Sequence, residues 1–211
     1  MRSPALYLIL VLALGACTQG GEKLDGQPMP SRTAPAQQGG VSQEPTGSGP
    51  LDIAGVAFLP PEDWSDLGAT AMRKASFNFG PVEGDADPAE VTAFYFGQEQ
   101  GGDIESNIAR WIGQMDPPEG KEIQDVVRRS KVTTQTGLDI HFVEINGTHN
   151  RSMGGGPMTG GRTKAYPGWR MVAAIIEGPQ GNIFFKLVGP ETTAGQMEEG
   201  FRGMLTTAVK L

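Results

Sequence analysis

From residue 51 onward, apolar side chains recur at spacings that predict an alternation of strands and helices. "LDIAGVAFLPP" places Ile53, Val56 and Phe58 on a first strand that Pro60-Pro61 ends. "MRKASFNFG" (72–80) alternates, and "EVTAFYFG" (90–97) is rich in β-branched and aromatic residues, which favours a strand. In "GGDIESNIARWIGQMDPPEG", Ile104, Ile108, Trp111, Ile112 and Met115 fall at i, i+4, i+7, i+8 and i+11. That spacing draws one apolar stripe on a helix. Asp103 can cap its start and Pro117-Pro118 stops it.

Four more strands are expected: "VVRRSKVTTQ" (126–135), "LDIHFVEING" (138–147), "WRMVAAIIEG" (169–178) and "NIFFKLVGP" (182–190). Thr136-Gly137 turns between the first two, and Pro179-Gln180-Gly181 between the last two. Tight turns of this kind join antiparallel neighbours. "MVAAII" and "IFF" are apolar without alternation, the mark of strands covered on both faces. The final segment, 191–211, repeats the stripe of the first helix with Met197, Phe201, Met204, Leu205 and Ala208, and Thr193 with Gln196 fits a capping box. The expected order is βββ-α-ββββ-α. The expected fold class is α+β: a three-layer α/β/α sandwich on a mainly antiparallel sheet of about seven strands, with helices on both faces.

The front of the chain follows different rules. Arg2 precedes a run of ten apolar residues, Ala5 to Leu14, and small residues follow. A helix needs about 20 apolar residues to cross a bilayer, so the run is too short to span one. The layout is that of a secretory signal peptide, residues 1–16. Leu14-Gly15-Ala16-Cys17 resembles the bacterial lipobox. That resemblance implies cleavage between Ala16 and Cys17, a diacylglyceryl group on the Cys17 sulfur, and acylation of the new amino terminus. One acyl chain holds a protein only marginally and stable anchoring needs at least two signals, each buried methylene adding about 0.8 kcal/mol. Thr18 stands where an aspartate often marks inner-membrane retention. The expected address is therefore the exported side of the envelope, on the periplasmic leaflet of an outer membrane where the organism has one.

Residues 18–50 are dominated by Gly, Pro, Ser, Thr and Gln. Such a segment buries too little apolar surface to offset its ordering entropy. Residues 17–50 read as a lipidated cysteine with a disordered tether, reaching roughly 30 Å. The folded domain is assigned to 51–211.

Charge and cysteine content narrow the function classes. Lys and Arg number 17 against 24 acidic residues, and no basic stripe of the kind a nucleic-acid binder shows is present. The single cysteine excludes an internal disulfide and a cysteine zinc site.

Candidate chemistry is sparse. His141, in "LDIHFVEI", reads as a strand residue on a polar or half-buried face. His149 falls in "NGTHNRSMGGGPMTGGRTKAYPGW", which reads as a Gly-rich hairpin loop. His149, Met153 and Met158 are candidates for a soft-metal site, since thioethers suit Cu(I). Gly154-Gly155-Gly156 lacks the following Lys-Ser/Thr of a phosphate loop. No Gly-x-Ser-x-Gly occurs. Glu198-Glu199 and Glu62-Asp63 read as solvated surface, and the sequons at Asn146 and Asn150 as chance. Arg110, beside Trp111, reads as a face residue or as the partner of an acid such as Glu144 or Glu90. Lys186, flanked by apolar residues in a covered strand, must snorkel or pair.

The order of elements, the domain size and the membrane-side setting resemble the Mog1/PsbP fold. The strings "SFNF", "VTAFYFG", "GGDIESNIARWIGQM" and "IFFKLVGP" further resemble uncharacterised bacterial envelope proteins associated with that fold. The distinctive motifs are a Gly-Gly-helix with Asn107, Arg110 and Trp111, and the "FFKLVGP" strand. The resemblance implies a fold but no reaction, and fold alone is a weak warrant for function. The reading is of a non-enzymatic, membrane-anchored lipoprotein without cofactor. Its partners are membrane lipid through Cys17 and an envelope protein or ligand, with no nucleic acid. The contact surface is assigned to the loop at 151–165, with Arg151, Met153, Met158 and Arg162. The alternative is a small-ligand or soft-metal carrier using residues 149–158.

Overall fold

A computed structural model describes residues 49–70, 72–153 and 163–211. The leader, Ala16, Cys17, the tether up to residue 48, Met158 and Arg162 lie outside the described residues. The domain mixes α and β structure around a mainly antiparallel sheet.

Eight strands build that sheet: β3 (Ser65–Asp66), β4 (Ala75–Phe79), β5 (Ala89–Tyr95), β6 (Met115–Asp116), β7 (Val127–Thr133), β8 (Asp139–Ser152), β9 (Thr163–Gly178) and β10 (Gly181–Pro190). Their spatial order is β3-β4-β5-β10-β9-β8-β6, with β7 also paired to β8. All of the pairings are antiparallel. A separate small sheet joins β1 (Leu51–Ile53), β2 (Val56–Phe58) and β11 (Val209–Lys210). The described helices are α1 (Ile104–Ile112), α2 (Ile123–Val126) and α3 (Glu191–Thr206).

The unbroken apolar runs are covered on both sides, as their composition predicts. Side chains alternate across a strand. In β9, Val172, Ala174 and Ile176 enter one core with Ile183, Phe185 and Leu187 of β10, roofed by Ala194, Met197, Phe201 and Leu205 of α3. Met171, Ala173 and Ile175 enter a second core with Phe184 of β10 and Ile108 and Trp111 of α1. Each core collects residues far apart in the chain, so burial on both faces ties the ends of the domain to its middle.

Several expectations are corrected. Residues 51–58 form a hairpin, not one strand: Ala54 and Gly55 both adopt positive φ, and a two-residue turn of this hand reverses the chain. The first helix ends at Ile112, where Gly113 caps it, well before Pro117. Met115 keeps its buried position on the same core, but from strand β6. Val126 closes a short helix, and its neighbouring strand starts at Val127. β8 and β9 extend well past the predicted ends into the segments read as loop. Finally, Thr193 is not a cap. The N-cap position is Pro190, and the fully buried Thr193 sits in the first turn of α3. Its backbone N–H and hydroxyl both donate to Asp85 Oδ2, at 2.9 and 2.6 Å. A carboxylate from a distant loop thus satisfies an orphan donor of the helix start.

Candidate binding groove

The face of the sheet that carries α1 is only partly roofed, because α1 has nine residues. Strand alternation decides what the uncovered part presents. With Ile183, Phe185 and Leu187 turned toward α3, β10 sends Phe184, Lys186 and Val188 to the α1 side. β5 sends Phe94, Thr92 and Glu90 beside them, since Phe184 pairs with Phe94, Lys186 with Thr92 and Val188 with Glu90. The result is two adjoining hollows of about 240 and 270 Å³ that share Phe94, Gln114 and Lys186.

One hollow is aromatic. Phe94, Phe96, Trp111 and Phe184 line it together with Arg110. Phe94 and Phe96 stack with centroids 6.1 Å apart, Phe96 meets Phe184 at 5.6 Å, and Trp111 meets Phe184 edge-on at 6.4 Å. Phe96 remains 42% exposed, a large apolar side chain left open at the rim.

The other hollow is cationic. Arg73, Arg151 and Lys186 line it beside His149, and Glu90 is the one carboxylate among the described residues of its wall. Glu90 is already shared: Oε1 accepts from Arg73, whose guanidinium also lies 6.0 Å from the Phe94 ring, and Oε2 accepts from Arg151 at 3.4 Å. Lys186 Nζ donates to Gln114 Oε1 at 3.3 Å. Among the described residues neither Lys186 nor Arg110 has a carboxylate partner. Burial of the Lys186 ammonium lowers its pKa, and nearby Arg151, Arg73 and Arg110 act in the same direction while Glu90 opposes them.

His149 is buried, with 4% of its surface exposed. Its ring lies nearly parallel to Trp169 at 5.8 Å, and its Nδ1 has no hydrogen-bond partner. Burial lowers its pKa to about 4, with Lys186 and Arg151 adding to the shift. The side chain is therefore neutral at pH 7.

The expected site residues separate. Arg151 and His149 belong to strand β8 rather than to a loop, and both line the groove. Met153 is 55% exposed beyond the strand end. His141 is the half-buried strand residue expected, bonded through Nε2 to Glu177 at 2.7 Å. Arg110 pairs with neither Glu144 nor Glu90; its Nη2 donates to Asn107 Oδ1 at 2.6 Å. Asn107 is itself held by the carbonyls of Gly101 and Asp103, so the Gly-Gly-helix motif positions Arg110. Glu198 is not solvated surface: with Glu144 it forms a four-membered network with Arg170 and Arg202 that ties α3 to β8 and β9. Asn146 and Asn150 are engaged by Glu191 and Asp116, each at 2.7 Å. Among the described residues no cluster of three or more His, Cys, Asp or Glu is placed to hold a metal ion.

The groove was missed in sequence reading because its two walls come from segments some ninety residues apart. Arg110 beside Trp111, His149, Arg151 and Lys186 inside an apolar strand are each distinctive in the sequence, but nothing in their spacing brings them together. No protein-family model matches this chain, and no curated protein matches it either.

Proposed function

We propose that this chain is a non-enzymatic lipoprotein, cleaved after Ala16 and anchored through lipidated Cys17, whose tether carries a three-layer α/β/α domain of the Mog1/PsbP type. The domain binds a component of the envelope in the groove beside α1. One observation carries the binding role: an open aromatic wall adjoins a partly buried lysine, Lys186, that makes no ion pair among the described residues. Burying an unpaired charge is costly unless something offsets it. A helix on one side of the sheet and another on the opposite side support the three-layer assignment.

Two measurements test this reading. Cys17→Ser is expected to move the protein from the membrane fraction to the soluble fraction, with loss of the lipid mass; retention of the variant in membranes with the same processing would refute the anchor. A photo-crosslinking residue at Phe96, on the groove rim, is expected to yield adducts in cells. The same residue at Val132, exposed on edge strand β7, is the control and is expected to yield none. Equal labelling from both positions would sink the groove as the binding surface.

A second reading, a soft-metal carrier using His149 with Met153 and Met158, is supported by the unpartnered Nδ1 of His149. Copper and zinc retained by the purified protein at neutral pH would favour it, and their absence would remove it.

A further inference from the structure

Resting on the binding reading above, we infer that the groove takes an anionic amphiphile, with one carboxylate or phosphate headgroup at Lys186 and Arg110 and an apolar body over Phe94, Phe96, Trp111 and Phe184.

Charge sets the sign of the ligand. Arg73 and Arg151 already share the carboxylate of Glu90. Lys186 has three donors and spends one on a neutral amide, and Arg110 likewise reaches only an amide. A cationic ligand would add to this unbalanced charge. A neutral one would complete the desolvation of Lys186 without compensating it. An anion supplies charge-assisted hydrogen bonds to both groups, and these are about twice as strong as neutral ones. Burial is the main cause of the lowered pKa of the Lys186 ammonium, so this group has lost hydration that an anion's oxygens would replace. His149, whose Nδ1 lacks a partner, lines the same hollow.

Shape sets the rest of the ligand. The aromatic hollow opens directly beside Lys186, since Phe94, Gln114 and Lys186 line both spaces. Together the two hollows reach the range of about 300–1,000 Å³ in which small-molecule sites fall. Apart from Arg110, Lys186 and Gln114, the walls of the aromatic one are apolar rings, so it offers little to a second polar group. Small hydrophilic anions would satisfy the cations and leave those rings in water. Only a molecule with a charged head and a greasy body fills both parts.

The test uses the full-length lipoprotein's mature chain and isothermal titration calorimetry, with Trp111 emission as a second readout. The probes are decanoate, decyl phosphate, decanol, decyltrimethylammonium and inorganic phosphate, each kept below its micelle concentration. Decanoate or decyl phosphate is expected to bind once per chain, at least about ten-fold tighter than decanol, as one or two charge-assisted bonds imply. The tighter of the two anions identifies the headgroup as carboxylate or phosphate, and inorganic phosphate alone is expected to bind weakly. Lys186→Met should remove the preference over decanol, and Lys186→Arg should keep most of it. Arg110→Gln, at an exposed helix position, provides a second variant that leaves the half-buried lysine intact and should weaken the anion about three- to ten-fold.

Equal affinity for decanol and decanoate would overturn the anionic assignment. Inorganic phosphate binding as tightly as decyl phosphate would overturn the amphiphile. No amphiphile bound, with crosslinks still forming from Phe96, would overturn the ligand class and spare the groove as a binding surface. Loss of both would refute this inference and the binding reading together.

Discussion

His149 and Lys186 show how position alone changes what a side chain can be. His149 lies flat on Trp169 with no partner on Nδ1, and burial first, then the neighbouring cations, bring its pKa to about 4. In the unfolded chain the same imidazole titrates near 6.5. Between these values the unfolded state binds a proton that the folded state refuses, so stability rises with pH there. The contribution is fully present above pH 6.5 and is lost as pH falls toward 4. Allowing for solvent screening from the open side of the groove, its size is about 2 kcal/mol. Urea midpoints measured from pH 8 to pH 4 should therefore decline below 6.5, and His149→Gln should flatten that decline relative to the parent. An identical decline in the variant would show that His149 is protonated without penalty. Lys186 has the same sign of shift, so its charge also opposes folding, and Lys186→Met is expected to raise rather than lower the urea midpoint at pH 7.

Gly147 links local backbone geometry to the groove. The β8–β9 register shifts between Gly147 and His149, and an added Cβ at 147 would lie 2.1 Å from the carbonyl oxygen of Asp116. Strand β6 passes that close only because no side chain is there. β6 in turn holds the segment carrying Gln114: Asn150 N–H donates to the Gln114 carbonyl at 2.8 Å, and the Gln114 side chain meets Lys186. Gly147→Ala should destabilise the domain by about 1–3 kcal/mol, the usual cost of overpacking, and should weaken groove binding by displacing Gln114. An unchanged urea midpoint would contradict the tight approach. These details also show what sequence reading reaches. The stripes of α1 and α3 and the covered runs of β9 and β10 are periodic, and each element's type was legible from them. The ends were not. β8 and β9 continue into a Gly-rich stretch because they pair with each other, and a strand held by its neighbour needs no apolar signature of its own. That is why His149 and Arg151 read as loop. Thr193 looked like a cap because the local rule fits, yet Asp85, more than a hundred residues away, takes its hydroxyl and its N–H.

The two cores share one sheet, and this sets where the domain should open first. β9 and β10 lie between strands on both sides, and β10 and the 171–176 stretch of β9 are buried on both faces. β10 is the common floor of the α3 core and of the groove, so the groove cannot deform without disturbing both cores. By contrast β7 pairs only with β8, its side chains are exposed after Val127, and α2 buries no residue. Arg128, Arg129 and Lys131 keep that edge charged, which guards it against pairing with another chain. Amide protection tracks such differences, from near zero at fraying edges to the global unfolding free energy in central strands. In hydrogen–deuterium exchange at neutral pH, amides of Phe184, Phe185 and Lys186 are expected to exchange only with global unfolding. Those of α2 and the outer side of β7 should exchange at least about a hundred-fold faster, through local opening. A saturating groove ligand should slow the central amides, because it stabilises the whole folded state, and leave the β7 edge unchanged. Early exchange at Phe184–Lys186 would mean that the floor opens independently of the cores, and a preformed groove would then be untenable.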